Sequence, residues 1–374
     1  MQKPLSDHPL VPGIRICLVL QSGIGDVVHG LPLVNALVRD RPEREITWIV
    51  ERTPSPLLRP HPAVGDVILF DRRRGLREVM ALRRALANRR FDCLINCGLY
   101  FKSAIPTLLA RAPHKLGFGR DRANDLVWLT ADRRLPPRPP RHRQDMYLEF
   151  LEALGVEAEP LEWRLTLTVT EREAQSRFFA DPAGRPTVGV VATSSGPAKD
   201  WSVTGNAEVV AALSRDYGFR VLLLGGPGER ETQRAREVME RAGERVEWAL
   251  GPDLRRLLYL VDGCDLVIAP DTGPLHVARA VGTPVIGLYG HTDPRRSGPY
   301  RRFEDLTIDR YNFDAPNVPH EGPVERQHPA RPGCRAGRME LIAAADVLER
   351  VDRAIEGYGV RAGRERRGRP GAQA

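Results

Sequence analysis

The sequence predicts an α/β protein built from two doubly wound parallel sheets in series. Short apolar runs alternate with amphipathic helical stretches, the alternation runs through twice, and glycine-rich turns recur just after the apolar runs. Strands alternating with helices of this length imply parallel sheets with helices on both faces. In the first half the strand-like runs are 14–20, 46–50, 67–70 and 93–96. Helical patterns cover 27–38, 76–87, 103–110 and, beyond the proline break Pro136–Pro140, 144–154. In the second half, strands are expected at 187–192, 220–224, 266–269 and 285–289, and helices at 207–215, 229–242 and 254–261. Pro-rich, charged sequence near 181–186 separates the halves, 309–335 reads as irregular, and 339–355 reads as a closing helix. The expected organisation is therefore a Rossmann-like domain over 1–165, a second over 186–335, a helix within 336–360 and a disordered basic tail over 361–374. Two such domains are expected to face each other across a cleft, with ligands beyond the carboxyl ends of the strands.

A length of 374 residues, 42% of them hydrophobic, supports two ordinary globular cores. The net charge of +8 is carried almost entirely by arginine, since only Lys3, Lys102, Lys115 and Lys199 are lysines. Such a charge suits phosphorylated ligands, anionic lipid surfaces or nucleic acid. The short arginine-rich tail is too small to support a nucleic-acid reader. Cys17, Cys93 and Cys264 lie in or beside apolar runs, as small hydrophobes do. Cys93-x3-Cys97 lacks a second Cys or His pair at metal-ligand spacing, and Cys334 stands apart, so no metal site is expected. The N-terminus shows no unbroken apolar stretch and no run approaches a spanning helix, so a reduced cytoplasmic setting is expected.

Four motifs carry chemistry, each just after a predicted strand. Gln21-Ser22-Gly23-Ile24-Gly25-Asp26-Val27-Val28-His29 is not a dinucleotide fingerprint, because Val28 stands where the third glycine belongs. Asp26 there reads either as a helix N-cap or as a carboxylate that deprotonates an attacking hydroxyl. Thr193-Ser194-Ser195-Gly196-Pro197-Ala198-Lys199-Asp200-Trp201 reads either as a turn rich in capping residues or as a phosphate cradle. A lysine in an arginine-dominated chain favours the cradle, where a compact ammonium can reach a phosphate. In Gly225-Gly226-Pro227-Gly228-Glu229 the glutamate could accept from ribose hydroxyls or complement a helix dipole. The most specific stretch is Asp271-Thr272-Gly273-Pro274-Leu275-His276, followed by Gly282-Thr283-Pro284-Val285 and Thr292-Asp293-Pro294. Asp271, Thr272 and the Gly273 amide fall where a helix begins and can grip a diphosphate, and His276 lies one turn on, on the same face as Thr272.

With these motifs in hand, the chain resembles glycosyltransferase family 9, the lipopolysaccharide core heptosyltransferases, across nearly its whole length. The resemblance implies a GT-B fold, an ADP-heptose donor, a lipid-linked inner-core acceptor, inversion at the anomeric carbon and no cofactor or required metal. It casts Asp26 as general base. Ser194, Ser195 and Lys199 would hold the diphosphate, Glu229 the ribose, and Asp271, Thr272, Gly273 and His276 the rest of the donor. Lys102-Ser103-Ala104, the basic loop around Arg120 and Arg122, and His142-x-x-Asp145 match the acceptor side. An anionic, lipid-linked acceptor implies peripheral association with the cytoplasmic face of the inner membrane. The chain departs from the family at Ser202 (usually proline), Asn206 (often aromatic), His291 (proline), Met146 (often arginine) and Arg338 (cysteine). No Asp-x-Asp pair occurs to hold a divalent ion. The alternative reading is a GT-B sugar-nucleotide enzyme using another sugar, either a transferase or an epimerase.

Overall fold

The computed structural model describes residues 13–21, 23–243, 246–312 and 337–361. Most of 309–335, with Cys334, and the tail beyond residue 361 lie outside the described residues. Internal contacts divide the chain into two units after Thr166.

The first unit carries β1 (Arg15–Val19), α1 (Ile24–Asp40), β2 (Glu45–Val50), β3 (Asp66–Leu69), α2 (Leu76–Leu86), β4 (Cys93–Asn96), α3 (Ala104–Leu109), β5 (Lys115–Gly117), β6 (Arg133–Arg134) and α4 (Arg143–Ala153). Its described strands form one parallel sheet in the order β3-β2-β1-β4-β5-β6. The order reverses between β1 and β4, so the loops after these two strands meet at the switch point where such sheets bind ligands. Helices α1 and α4 pack together, as do α2 and α3, giving the two covering layers. Strands buried on both faces read as near-continuous apolar runs, which is why β1, β2 and β4 were visible in sequence. One layer seals Cys17, Val19, Ile49, Phe70 and Leu94 beneath Leu82 and Leu86 of α2. On the other, α1 approaches β2 so closely that a Cβ at Gly30 would sit 2.8 Å from the Trp48 ring.

The second unit adds α5 (Val169–Phe179), β7 (Thr187–Val191), α6 (Val203–Arg215), β8 (Arg220–Leu224), α7 (Glu229–Ala242), β9 (Val246–Trp248), α8 (Leu254–Gly263), β10 (Leu266–Pro270), α9 (Gly273–Val281), β11 (Val285–Tyr289), α10 (Pro294–Ser297), β12 (Ile308–Asp309) and α11 (Ala344–Tyr358). The parallel order β12-β11-β10-β7-β8-β9 puts this unit's switch point between β7 and β10. Helices α6, α7 and α11 pack as one layer, and α5, α8 and α9 as the other. Cys264, like Cys17, Cys93 and Cys97, is a buried free thiol. No helix among the described residues is long and apolar enough to cross a membrane.

Helix α5 has no buried residue, so polar contacts place it, among them Gln175 Nε2 donating to the Tyr259 carbonyl and to Asp262 Oδ2 of α8 at 2.8 Å each. Thr168 and Glu171 form a reciprocal capping box, and Arg255 of α8 grips the same glutamate, Nε to Oε1 at 2.7 Å. The Arg255 hydrogen bond is the main cause that draws the Glu171 carboxyl down to about 2. A depressed carboxyl contributes stability above its unfolded value and loses it as pH falls toward the folded one. Glu171→Gln is therefore expected to cost roughly 1 kcal/mol at neutral pH. Wild type and variant should converge in thermal melts as the pH is lowered from about 4.5 toward about 2. A gap that stays constant across that range would remove the ion pair from the account.

Candidate active site

In the first unit, Gly23 is the N-cap of α1 and makes no side-chain cap bond. Asp26 therefore lies inside the first helical turn, and the capping reading of its carboxylate is set aside. Its partners come from α4. The Tyr147 hydroxyl donates to Asp26 Oδ1 at 3.2 Å, and Arg143 Nε lies 3.6 Å from the same oxygen. Burial, with the adjacent Asp26 charge, pushes Tyr147 well above the usual phenol range, so the hydroxyl keeps the proton it donates. The helix carrying both residues is fixed by buried Gln144, whose Nε2 donates to the His29 carbonyl at 2.8 Å. His142 is the N-cap of α4, accepting from Gln144 N through Nδ1 at 3.0 Å, with its ring edge-on to His29. Lys102, in the loop after β4, pairs with Glu51 at 3.0 Å.

Two expected acceptor residues fare differently. Arg120 is exposed. Arg122 is not a surface cation: its side chain is 3% exposed and pairs with the equally buried Glu149 at 2.7 Å. Arg122 also reaches the Pro136 carbonyl and stands over the Phe118 ring. A guanidinium committed to a buried carboxylate cannot leave it cheaply, so Arg122 holds the fold and is withdrawn from the acceptor set.

In the second unit, the loops after β7 and β10 bring the candidate donor residues together. Lys199 Nζ lies 2.8 Å from Asp271 Oδ2, and His276 Nε2 lies 3.5 Å from Asp271 Oδ1. Burial alone would raise the Asp271 carboxyl, but the Lys199 charge and the His276 hydrogen bond overcome it and hold the group well below the carboxylate range. Thr272 is the N-cap of α9 without a side-chain cap bond, and Pro274 at the second helical position has no N–H. The Gly273 amide and the Thr272 hydroxyl thus stand at a helix N-terminus suited to an anion. His291, after β11, is pushed down by burial and by the Lys199 charge. It belongs to the same electrostatic cluster, in place of the family's proline.

The Lys199 loop is built from within. Asp200 accepts from Ser194 N at 2.7 Å and from Ser194 Oγ at 2.9 Å, and Arg230 of α7 binds the same carboxylate. Ser194 is buried and its hydroxyl proton is spent on this loop, so it organises the cradle rather than lining it; Ser195 is exposed. Buried Trp201 anchors the far end, donating to the Ile342 carbonyl at 2.9 Å. Ser202 takes over where the family has proline: its Oγ accepts from Gly205 N as the N-cap of α6. Asn206 donates to the Ser202 carbonyl at 2.9 Å. Glu229 is exposed in the first turn of α7, and Glu231 instead caps the glycine turn, accepting from Gly226 N and Gly228 N at 3.1 Å each. Asp200 stands in the Lys199 motif without an assigned role, and Arg230, Glu231, Arg143 and Tyr147 were missed in sequence. Only Glu231 had a local signal, three residues after its cap.

Comparison with known proteins follows the same lines. Residues 79–312 match the family model for glycosyltransferase family 9 (heptosyltransferase). The lipopolysaccharide core heptosyltransferase OpsX of Haemophilus influenzae is 32% identical, over 78% of this chain and 83% of that one. Lipopolysaccharide heptosyltransferase 2 of Escherichia coli is 25% identical over 75% and 84%. Among solved structures, the family 9 glycosyltransferase of Veillonella parvula superposes with a TM-score of 0.76 at 20% identity, covering 95% of this chain and 99% of that one. E. coli heptosyltransferase WaaC with ADP gives 0.71 at 23%, covering 91% and 99%. The two α/β units are thus those of the GT-B architecture, and the chain belongs to glycosyltransferase family 9, the heptosyltransferases.

Proposed function

We propose that this glycosyltransferase moves a heptose from ADP-heptose to a lipid-linked lipopolysaccharide inner-core acceptor, with inversion and without a metal ion. The observation that carries the reading is the Lys199–Asp271–His276 cluster at the β7/β10 switch point, beside the open N-terminus of α9. The relatives' names support the sugar and the acceptor, as does a WaaC structure solved with ADP-2-deoxy-2-fluoro heptose. Asp26 Oδ takes the proton of the acceptor hydroxyl, whose oxygen bonds to the anomeric carbon as the bond to the diphosphate breaks and ADP leaves. Tyr147 orients the carboxylate. The Lys199 ammonium and the Gly273 amide meet the charge that builds on the departing diphosphate, the step where electrostatic stabilisation counts most. Glu229 is assigned to the ribose and Ser195 to the diphosphate, while Lys102, Arg120 and His142 are assigned to the acceptor. The anionic acceptor draws the enzyme to the cytoplasmic face of the inner membrane.

The test is turnover of ADP-heptose on purified acceptor, with thermal melts in ADP and in UDP. ADP should raise Tm more, since a ligand stabilises only by binding the native state. EDTA should leave the rate within about twofold, because the charge-stabilising groups invoked are a side-chain ammonium and a backbone amide. Activity lost on chelation and restored by Mg²⁺, or a larger shift with UDP, would overturn the respective assignment.

A further inference from the structure

The first unit carries an exposed apolar edge that neither its core nor its catalytic residues use. Phe101, Leu108, Leu126 and Leu129 are 52%, 64%, 65% and 57% exposed. Phe101 opens the 3-10 turn Phe101–Ser103 that leads into α3, and Leu108 lies in the last turn of α3. Leu126 and Leu129 belong to the 3-10 turn Val127–Thr130 and its cap, which packs directly against α3. Scattered exposed leucines are ordinary, but four large apolar side chains on contiguous elements are not. Leu126 is held in the left-handed region at φ 61, next to Asp125 at φ 51. That conformation is costly for leucine, and here the side chain gains no compensating burial.

The charges around this edge indicate what covers it. Trp128, half-buried between the two leucines, has the Arg120 guanidinium 6.0 Å and the Arg134 guanidinium 5.0 Å from its ring. Arg111, just after α3, is exposed. Of the nearby acids, Asp121 is paired with Arg122, Asp132 accepts from the Lys115 amide, and exposed Asp125 is outnumbered by Arg111, Arg120 and Arg134, which leaves the rim net basic. Exposed leucine and phenylalanine, a half-buried indole among them and arginines at that indole are the residue types of a headgroup interface. There, apolar tips enter the acyl boundary, tryptophan sits at headgroup depth and guanidinium groups meet lipid phosphates.

We propose that this edge, formed by Phe101, Leu108, Leu126 and Leu129, inserts shallowly into an anionic bilayer. The proposal deepens the lipid-linked-acceptor reading and rests on it for its purpose: the enzyme would settle on the surface that holds its acceptor. Basic charge alone gives salt-sensitive binding, whereas apolar insertion adds a component that salt leaves intact.

The experiment is flotation with vesicles of phosphatidylethanolamine plus phosphatidylglycerol, and with vesicles of phosphatidylcholine alone, at low and high salt. The wild type and Leu126→Asn/Leu129→Ser are compared; asparagine tolerates the left-handed backbone, and both sites are exposed. Wild type is expected to float with the anionic vesicles and to retain part of that binding at high salt. Brominated acyl chains in those vesicles should quench part of its tryptophan emission. The variant should melt like wild type, bind roughly tenfold more weakly and lose the salt-resistant fraction. It should turn over an acyl-free, water-soluble acceptor at the wild-type rate. Equal flotation of the two proteins, binding abolished by salt without quenching, or a self-associated wild type that ignores vesicles would each overturn the proposal. Failure of both proteins to turn over any acceptor would instead strike the functional reading and leave the vesicle result standing.

Discussion

Replacing Asp26 by asparagine is expected to lower kcat by roughly 10²–10⁴-fold, the range typical of losing a positioned general base, with ADP affinity nearly unchanged. Asparagine keeps the shape and an oxygen that can still accept from the Tyr147 hydroxyl, now 3.2 Å from Asp26 Oδ1. What it loses is the capacity to take a proton. The competing role, a first-turn acid complementing the dipole of α1, is worth at most about 1 kcal/mol at a partly exposed position. The N-cap itself is Gly23, so no capping bond is lost. The two roles separate cleanly: a base deletes turnover with little change in Tm, whereas a dipole partner lowers Tm slightly and spares turnover. An asparagine variant with near wild-type kcat would end the general-base assignment. Titration calorimetry with ADP checks the other half of the expectation.

How much of this was legible depended on burial. Strands β4 at 93–96, β8 at 220–224 and β11 at 285–289 stood out because a parallel strand covered on both faces must be apolar throughout. Strands β5, β6 and β12 are edgeward pieces of three, two and two residues containing Lys115, Arg133, Arg134 and Asp309. They are too short for periodicity and too polar for an apolar run. Helix α5 hid for the opposite reason: with no buried residue it has no apolar stripe, and only the Thr168-x-x-Glu171 box marks it. The closing helix was expected as one piece, 339–355. It breaks at Ile342, whose carbonyl takes the Trp201 indole N–H, and α11 starts at Ala344. Site residues on strand-to-helix turns were visible because glycine, hydroxyl and charge cluster there. Their supports were not, since Tyr147 meets Asp26 across 121 residues and Lys199 meets Asp271 across 72. Arg122 shows the reverse error: a basic loop read as a surface turned one of its arginines inward to Glu149.

The second large effect is expected at Lys199, where two consequences must be told apart. Lys199→Ala removes the ammonium proposed to meet the diphosphate, and a charge-assisted contact of this kind is worth about 1.5–3 kcal/mol, or roughly 10–100-fold in ADP affinity. It also strips Asp271, whose side chain is only 8% exposed, of a partner at 2.8 Å. Breaking a buried ion pair from one side costs about 3–5 kcal/mol, less here because Lys199 itself is 22% exposed and His276 remains beside the carboxylate. Lower Tm and weaker ADP binding in the single variant would therefore fit either a ligand contact or mere neutralisation of Asp271. Lys199→Ala/Asp271→Asn separates them, because neighbouring partners couple and a double-mutant cycle reads the coupling. If Lys199 only neutralises Asp271, the double variant regains both stability and ADP affinity. If the ammonium also reaches the diphosphate, stability returns while ADP affinity stays low. Lys199→Arg should keep the charge yet restore affinity only in part, since a planar guanidinium does not replace a compact ammonium. Wild-type ADP affinity in the double variant would remove Lys199 from the donor site and leave it as the counter-ion of Asp271.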